Sequence, residues 1–490
     1  MDVVIVGAGI GGLGSALMLG KAGHRVTLLE RDPAPPEDAD EAWEAWERRG
    51  VPQLRLAHVF LGRMRNMIRD EHPDLWQALQ DAGATEMRWT EGLASTVEDR
   101  SPRPVDDDLV MLGVRRPVFE QLVRRVATAT GNVDIRPATA VKRLLAGAPV
   151  DAQHGVPHVT GVELEDGTTL TADLVIDCGG RRSPLPTWLE QIGAAPMPEE
   201  EVEDGLMYFG RYYKLEDGQD YPSLSGGPII DLGFLFGLTF RADRGWFAIA
   251  LAVHNEDKDI RALRDEDAFE AALQVIPSAA RWRTPGLSRP MTEVKTMSLI
   301  DDRWRDFVVD GTPLATGLVP LGDSLVATNP ALGRGSSLAW VAARELTTIL
   351  GDTTDPVEII TRYDDAVRTQ IRPWYDQTAQ MDAQRVEHMR RVLLGEPDPP
   401  IDESDPTAAF TAGFALGAQV DADVSRAMGH VAHLLKQPIE LLGDADLAAK
   451  VIDAWERREE IRPLMTQQGN PTREELLAAM ASAGSRAAAG

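Results

Sequence analysis

The first thirty residues of the chain constrain its fold more than any other stretch. Residues 3–6 (Val-Val-Ile-Val) form an uninterrupted β-branched run, which is typical of a strand buried on both faces of a parallel sheet. A glycine-rich turn at 7–12 follows, and then come a predicted helix over 11–21 and a second predicted strand over 25–30. This order of elements predicts a dinucleotide-binding β-α-β unit.

The turn reads Gly-Ala-Gly-Ile-Gly-Gly and fits the pattern G-x-G-x-x-G. Gly7 permits the tight turn beside Ala8, Gly9 lets the backbone approach a pyrophosphate, and Gly12 lets helix and strand pack closely. The helix start offers free N–H groups to the phosphates. Glu30 ends the second strand, where a carboxylate accepts hydrogen bonds from ribose hydroxyls and repels a 2′-phosphate. This motif alone leaves open whether the dinucleotide is FAD or NAD.

A second glycine-rich segment lies three hundred residues later. It reads Val-Pro-Leu-Gly-Asp-Ser at 319–324 and Asn-Pro-Ala-Leu-Gly-Arg-Gly-Ser-Ser at 329–337, and a predicted helix runs on through Leu350. Together the two segments resemble the flavin monooxygenases of the para-hydroxybenzoate hydroxylase fold. The resemblance implies that the cofactor is FAD, that Asp323 holds its ribityl chain, and that the loop 330–335 lies along the flavin pyrimidine edge. Backbone N–H groups at the following helix start would stabilise negative charge on a reduced flavin.

Two further segments resemble this family. Arg116 opens Arg-Pro-Val-Phe-Glu-Gln-Leu-Val-Arg, similar to a family helix whose first arginine reaches FAD, and Arg115 is the competing assignment. Residues 172–183 resemble a family strand that ends near the cofactor; there Asp177 and Arg181 either shape the flavin site or form a structural pair. The predicted FAD-binding residues are Gly7, Ala8, Gly9, Gly12, Glu30, Arg31, Arg116, Val141, Gly322, Asp323, Pro330, Gly333, Gly335 and Ser336.

A third resemblance concerns the substrate. Residues 49–53 (Arg-Gly-Val-Pro-Gln), with His58 beyond them, resemble a stretch of bacterial flavin epoxidases that act on polyether precursors. It makes Arg49, Gln53 and His58 the candidate catalytic residues, with a structural histidine as the other interpretation of His58. Flavin halogenases share the fold, but their Trp-x-Trp-x-Ile-Pro signature is missing from the sequence, which disfavours halogenation.

The fold class predicted is α/β (α+β). A Rossmann-like FAD-binding domain comprises residues 1–183 and 301–350, an inserted β-sheet substrate domain comprises 184–300, and a helical region comprises 351–490. Within the FAD-binding domain we expect an exposed loop over 32–48, one helix over 61–79 and another over 116–128. We also expect a hairpin of strands 159–164 and 169–176 around the turn Asp166-Gly167.

The inserted sheet is the predicted substrate wall. On its strand 246–254, period-two alternation separates a bulky face from a face of mostly small residues. The small face leaves room either for a ligand or for a closely packed helix. The predicted pocket residues are Tyr208, Tyr212, Trp246, Ala248 and Ala250.

Composition excludes several classes of partner. The 490-residue chain carries 50 basic against 77 acidic side chains, a net charge of -27, which disfavours nucleic acids and anionic membranes. Its single cysteine, Cys178, permits neither an intramolecular disulfide nor a cysteine-based metal cluster, and we expect no metal. Asp2 and the glycines that follow do not fit a signal peptide. We expect a cytoplasmic monomer or homodimer.

The function predicted from these observations is an FAD-dependent monooxygenase. It would hydroxylate or epoxidise a hydrophobic small molecule, in secondary metabolism, through a flavin C4a-hydroperoxide formed with molecular oxygen. The alternatives are a flavin halogenase, an FAD-dependent reductase or dehydrogenase, and a weakly catalytic flavoprotein partner. A second G-x-G-x-x-G is missing from the sequence, so the electron source stays open between NAD(P)H and a separate flavin reductase.

Overall fold

The computed structural model describes residues 1–150, 155–203, 205–224, 227–298, 300–402, 405–465 and 469–487. Its strands, in chain order, are β1 (Asp2–Val6), β2 (Arg25–Leu29), β3 (Thr85–Arg88), β4 (Val110–Gly113), β5 (Val133–Arg136), β6 (Val141–Gly147), β7 (His158–Leu164), β8 (Thr169–Thr171), β9 (Leu174–Asp177), β10 (Glu199–Val202), β11 (Leu206–Leu215), β12 (Ile229–Asp231), β13 (Leu235–Arg241), β14 (Trp246–His254), β15 (Ser288–Pro290), β16 (Lys295–Ser298), β17 (Asp302–Arg305), β18 (Val308–Val309), β19 (Thr312–Pro313), β20 (Leu318–Pro320) and β21 (Val326–Ala327).

The helices, in the same order, are α1 (Ile10–Lys21), α2 (Ala39–Ala45), α3 (Gly62–Glu71), α4 (Pro73–Asp81), α5 (Arg116–Ala129), α6 (Leu185–Gln191), α7 (Glu266–Val275), α8 (Pro277–Ala280), α9 (Gly335–Asp352), α10 (Pro356–Gln370), α11 (Arg372–Leu394), α12 (Pro406–Gly417), α13 (Ala422–Ala432), α14 (Pro438–Leu441), α15 (Ala445–Glu456), α16 (Arg458–Met465) and α17 (Arg473–Ala487). This mixture of sheets and helices confirms the predicted α/β class.

A five-stranded parallel sheet of order β20-β9-β1-β2-β5 forms the centre of the molecule. Its middle strand β1 is buried because helices cover the sheet, as its β-branched sequence predicts. Helix α1 packs on α9, and the contact is so close that a Cβ on Gly14 would lie 2.8 Å from Trp340 Nε1. Since the strands are parallel, the glycine turn after β1, Glu30 after β2 and Gly322 after β20 all lie at one edge of the sheet.

The inserted segment folds into a six-stranded antiparallel sheet of order β12-β13-β14-β11-β15, with β16 also on β11. Helix α7 covers one face of it, where Glu270 accepts a hydrogen bond from the Tyr213 hydroxyl at 2.8 Å. The other face turns toward the loop 329–334, since Tyr208 reaches Asn329 there. A three-stranded sheet β10-β17-β21 joins the insertion to the parallel sheet's region. The loop 329–334 of the second motif therefore lies between the parallel sheet and the inserted antiparallel sheet.

Three local predictions were wrong. The expected loop 32–48 contains helix α2, because the Asp38 side chain caps the backbone N–H groups of Asp40 and Glu41. The expected helix 61–79 is two helices, because Pro73 lacks an N–H and pushes the preceding residue out of helical geometry. The expected strand 169–176 is β8 and β9 in two different sheets, and the chain crosses between them at 172–173.

The helical C-terminal part is held to the rest by buried or half-buried ion pairs. Arg426 of α13 donates to Asp106 at 2.6 Å, and Arg473 of α17 donates to Asp257 at 2.6 Å. Helices α12, α13 and α15 share a small apolar core of their own, and α17 packs on α7. Among the described residues, none of the helices has the length and apolar character that crossing a bilayer requires.

Candidate functional site

The glycine turn after β1 is shaped by contacts that only glycine permits. Gly7 has a φ of +102°, and a Cβ there would lie 2.4 Å from the Cys178 carbonyl oxygen. A Cβ on Gly12 would lie 1.9 Å from the Gly7 carbonyl oxygen. At Gly9 the nearest neighbour of such a Cβ is Arg116 Nη2, at 3.9 Å. The backbone at Gly9 is therefore open toward an arginine, as the approach of a pyrophosphate requires.

Glu30, at the end of β2, is buried in a network of donors. Its Oε2 accepts from the backbone N–H of Ala8 at 2.9 Å and its Oε1 from that of Asp32 at 2.9 Å. Arg48 also pairs with Glu30, and it donates to Glu120 Oε2 at 2.5 Å and to the Ala8 carbonyl oxygen at 3.1 Å. A carboxylate has about four acceptor sites, so ribose hydroxyls could still share Glu30.

Arg116 and Arg115 have different environments. Arg116 donates from Nε to Glu120 Oε1 at 2.8 Å and faces Gly9. Arg115 instead donates to both carboxylate oxygens of Asp243, at 2.6–3.1 Å, and lies 4.3 Å from the centroid of Trp246. Burial would raise the pKa of Glu120, but Arg48 and Arg116 reverse this and hold it below its usual range. Of the two arginines, Arg116 is the one beside the glycine turn.

The three candidate catalytic residues do not converge. His58 Nδ1 donates to the Leu56 carbonyl oxygen at 2.8 Å, and its Nε2 lies 3.2 Å from Arg116 Nη1. Burial, followed by the charge of Arg116, lowers the pKa of His58 to about 4, so the ring is neutral at neutral pH. The Arg49 side chain is exposed, and Gln53 lies half-buried in a short helical turn.

Two of the predicted cofactor residues flank Glu30. The backbone N–H of Thr139 donates to the Glu30 carbonyl oxygen at 2.8 Å, which brings the start of β6, with Val141, beside the end of β2. Arg31 is exposed. Asp177 and Arg181 do not pair with each other: Asp177 accepts from Gly179 and Ser183, and Arg181 donates to the Asp301 and Thr328 carbonyl oxygens. The sequence-based alternative of a structural pair was therefore wrong.

The second motif forms an open loop before α9. Within the described part of the chain, the half-buried Asp323 carboxylate has no hydrogen-bond or ion-pair partner, and it lies 3.8 Å from where a Cβ on Gly335 would be. Gly322 and Gly333 have φ values of +66° and +64°. Pro330 begins a short helical turn that Asn329 caps by accepting from the Ala331 N–H at 2.8 Å.

Helix α9 begins at Gly335, so the half-buried Ser336 lies in its first turn, where backbone N–H groups have no helical partner. A free carboxylate at Asp323, an open backbone at Gly9 and an arginine beside it form a donor and acceptor set that fits FAD.

The family model described as "FAD dependent oxidoreductase" matches residues 2–349 of the chain. The chain belongs to this family. Among curated proteins, Protein Rv3254 of Mycobacterium tuberculosis is 26% identical over 364 residues, which are 70% of this chain and 71% of that protein.

Two solved structures share the fold. The flavin-dependent brominase Bmp2 superposes with a TM-score of 0.58 at 16% identity, covering 94% of this chain and 100% of its own. The anhydrotetracycline hydroxylase OxyS of Streptomyces rimosus has a TM-score of 0.53 at 18% identity, covering 89% of this chain and 76% of its own. At these identities the likeness establishes the fold, which is the one that the sequence motifs predicted.

In this FAD-dependent oxidoreductase the inserted sheet turns one face toward the second motif. Gly210, Ala250 and Leu238 are register neighbours on β11, β14 and β13 and share that face. Ala250 and Leu238 are only half-buried, whereas Tyr208, Tyr212, Trp246 and Ala248 on the same face are buried. The face is therefore covered along β11 and at both ends of β14, and it is partly open at Ala250 and along β13, where Phe236 and Phe240 are half-buried as well.

Each end of this face is closed by a different apolar cluster. At one end Tyr212, Trp246 and Ala248 pack with Trp43. The residues that close the other end, including one from the loop of the second motif and one from α11, are Leu206, Tyr208, Ala252, Ala331 and Met389. Of the five predicted pocket residues, Ala250 is the one at the open centre.

Sequence reasoning missed four buried charged residues: Arg48, Glu120, Asp302 and Asp382. Glu120 follows Arg116 by four residues in a helix, a spacing that could have indicated the pair. Arg48 has Arg49 beside it, and the sequence offers no sign of which arginine is buried. Asp302 and Asp382 come together only in the folded chain and leave no local signal.

Proposed function

We propose that this protein is an FAD-dependent monooxygenase that transfers one oxygen atom to a hydrophobic small molecule. The observation that carries the proposal is the half-open, apolar centre of the inserted sheet at Leu238 and Ala250, in a face whose end meets the loop 329–334. Apolar lining next to a few polar groups is the usual composition of a small-molecule site. A substrate lying on this face would be next to the flavin.

Bound FAD would supply the redox and oxygen-activating chemistry. The chain's own residues would then have binding roles. Glu30 would accept from the adenosine ribose, Arg116 would neutralise the pyrophosphate facing Gly9, and Asp323 would accept from the ribityl hydroxyls. The N–H groups at the start of α9 would stabilise negative charge at the pyrimidine edge of the flavin.

The closed ends of the sheet face support an oxygenase because they keep water out. Trp43 packs edge-on against Tyr212 and Trp246 at ring distances of 4.8 and 5.1 Å, so little solvent can enter there. At the other end Ala331 and Met389 close the face. A water-poor site strengthens electrostatic stabilisation and suppresses the wasteful release of hydrogen peroxide.

The proposed function gives each of the three predicted regions of the chain a role. Residues 1–183 and 301–350 would bind FAD, 184–300 would form the substrate wall, and 351–490 would cover it. Electrons would come from NAD(P)H or from a separate flavin reductase. We place the reaction, a hydroxylation or an epoxidation, in secondary metabolism and in the cytoplasm, in keeping with the single cysteine.

The deciding experiment follows isotopically labelled oxygen into product. The FAD-loaded protein is mixed with NAD(P)H or a flavin reductase, labelled molecular oxygen and a panel of polycyclic aromatic and polyene substrates. We expect a product that carries one labelled oxygen. Product formed without oxygen would indicate a reductase or dehydrogenase, and incorporation of added bromide or chloride would indicate a halogenase.

A matched pair of variants links activity to the sheet face. Ala250→Phe should fill the open centre, abolish oxygen transfer and leave FAD binding unchanged. Ile452→Phe, at an exposed isoleucine of α15 in the C-terminal helical part, is the control and should leave both unchanged. Full activity in Ala250→Phe would exclude this face as the substrate wall.

A further inference from the structure

Two buried carboxylates lie directly behind the second motif. Asp302 begins β17 and is 0% exposed, and Asp382 of α11 is 2% exposed. Asp302 Oδ1 accepts a hydrogen bond from the backbone N–H of Asn329 at 2.7 Å. Asp302 therefore touches the loop that would line the flavin, although it belongs to a different strand.

Both carboxylates have an oxygen that lacks a hydrogen-bond partner. Among the described residues, Asp302 Oδ2 and Asp382 Oδ2 are buried without a donor, while Arg385 donates to Asp382 Oδ1 at 2.5 Å. Leaving a buried ionised carboxylate oxygen without a donor is costly, so such groups tend to hold a proton instead. A proton on either carboxylate would remove the cost of its unpaired oxygen.

Two arginines lie near the pair, but among the described residues only one of them donates a hydrogen bond to it. Arg385 donates to Asp382, whereas Arg334 acts on Asp382 through its charge and donates to Thr378 at 2.8 Å and to Gln377 at 2.9 Å on α11. The other charged or titratable groups that act on the pair, from the segments around β9, β17 and α11, are Arg181, Asp301 and Tyr375.

Burial and the scarcity of hydrogen-bond donors both favour the protonated form of the two carboxylates. Burial, together with the nearby Asp382, raises the pKa of Asp302 to about 7, despite the hydrogen bond from Asn329. Burial also raises the pKa of Asp382, against the pull of Arg385 and Arg334. A negative charge placed on the other side of the loop would raise both pKa values further, because like charges disfavour ionisation.

The loop joins the pair to the flavin side at short distances. Asn329 donates its N–H to Asp302, and its side-chain oxygen accepts from the Tyr208 hydroxyl at 2.5 Å and from the Ala331 N–H. Arg385 of the same cluster lies 4.5 Å from the ring centroid of Phe236, on the substrate face. A flavin bound on the other side of this loop would therefore be close enough for its charge to act on the two carboxylates.

We propose that Asp302 and Asp382 are a redox-linked proton acceptor, which gains one proton when FAD beside the loop is reduced and releases it when FAD is reoxidised. The inference rests on the proposed FAD site. In the balance, NAD(P)H gives the flavin two electrons and one proton as a hydride, whereas dithionite gives two electrons and the flavin takes its proton from solvent. One further proton from solvent forms an O–H bond on a carboxylate of the pair. On reoxidation without substrate, molecular oxygen takes the two electrons and becomes hydrogen peroxide with the flavin's proton and one from solvent, and the proton of the pair returns to solvent.

The test is the pH dependence of the midpoint potential of bound FAD around pH 7, with the protons taken up on anaerobic reduction counted by an indicator dye. One extra proton steepens the potential by about 30 mV per pH unit for a two-electron couple. We expect this extra slope in the unmodified protein and its loss in Asp302→Asn. Asp364→Asn is the control, since burial raises the pKa of that carboxyl too but it lies on α10.

Equal slopes and equal proton counts in FAD-loaded unmodified protein and Asp302→Asn would overturn the inference. Should Asp302→Asn lose FAD, Asp382→Asn decides: removal of the like charge should move the steep interval to lower pH, and an unmoved interval overturns the proposal. Failure of the unmodified protein to bind FAD would overturn this proposal and the proposed function together. Proton uptake without oxygen transfer to any substrate would overturn only the proposed function.

Discussion

Two buried charged clusters lie at opposite ends of the candidate FAD site, and they are built differently. The ribose-end cluster surrounds the glycine turn, and the loop-end cluster lies behind the second motif. The members of the ribose-end cluster are Glu30, Arg48, Arg116 and Glu120, and those of the loop-end cluster are Asp302, Arg334, Asp382 and Arg385.

The difference lies in how the carboxylates are paired. At the ribose end each oxygen of Glu30 and of Glu120 has a donor, and the two arginines hold the pKa of Glu120 low despite its burial. At the loop end both aspartates have an oxygen that receives no donor from the described part of the chain, and burial raises their pKa values. The first cluster is suited to stay charged and orient a cofactor, and the second to change its protonation.

The largest effect is expected from Glu120→Gln at the ribose end. The substitution keeps the shape of the side chain but leaves Arg48 and Arg116 buried without their shared anion. Breaking a buried ion pair from one side costs about 3–5 kcal/mol of the free energy of unfolding. Denaturant titration of the FAD-free protein measures it.

The matched control is Glu387→Gln, because Glu387 also binds two arginines but on an exposed helix surface. It should leave the free energy of unfolding unchanged. If Glu120→Gln were as stable as this control, the ribose-end cluster would not be the tightly balanced network that its distances indicate.

The next effect is a pH dependence at the loop end. The folded-state pKa of Asp302, about 7, lies above the ordinary 3.8, so its contribution to stability is complete below pH 3.8 and is lost as pH rises through 7. Asp302→Asn has no such loss. Its free energy of unfolding should rise relative to the unmodified protein over this range, by about 1.4 kcal/mol per unit of pKa shift.

Unfolding curves of the two proteins from acid to neutral pH measure the difference. Asp99→Asn is a control of opposite sign: backbone and side-chain hydrogen bonds from Ser101, then Arg103, lower the pKa of this exposed carboxyl to about 2. If the free energy of unfolding changed with pH equally in Asp302→Asn and in the unmodified protein, then the loop-end cluster would not titrate in this range and would not differ from the ribose-end cluster.

The two clusters also mark how far the sequence could predict the site. The glycine turn, Glu30 and the second motif are local patterns, so spacing predicted the parallel sheet and a dinucleotide site. The resemblance of the two motifs to known flavin monooxygenases predicted the FAD family. Asp302 and Asp382 are eighty residues apart and meet only because β17 and α11 pack on the same loop. Period-two alternation predicted the sheet face, but which of its residues are covered depends on partners as distant as Trp43 and Met389.

A smaller effect separates cofactor binding from stability. Glu30→Gln should weaken FAD binding by about 1.5–3 kcal/mol, or about tenfold to a hundredfold, and also destabilise the FAD-free protein, because Arg48 loses one of its anionic partners. Asp323→Ala should weaken FAD binding to a similar degree but change stability by less than about 0.5 kcal/mol, since its carboxylate has no partner among the described residues. Equilibrium dialysis of FAD and denaturant titration give the two quantities. Unaltered FAD affinity in Asp323→Ala would contradict its ribityl role.

The smallest effect is expected at His58, which adjoins the ribose-end cluster through Arg116. Its pKa of about 4 keeps the ring neutral on both sides of pH 7, so its charge does not change where the loop-end cluster titrates. His58→Asn should cost about 1 kcal/mol of stability, the net value of a hydrogen bond, and leave the pH profile of kcat unchanged above pH 5 or so. Steady-state rates with the substrate found in the oxygen-labelling experiment provide the profile. If an ionisation near neutral pH vanished in His58→Asn, then His58 would be the titrating acid or base. The group that titrates near pH 7 would then lie at the ribose end and not at the loop end.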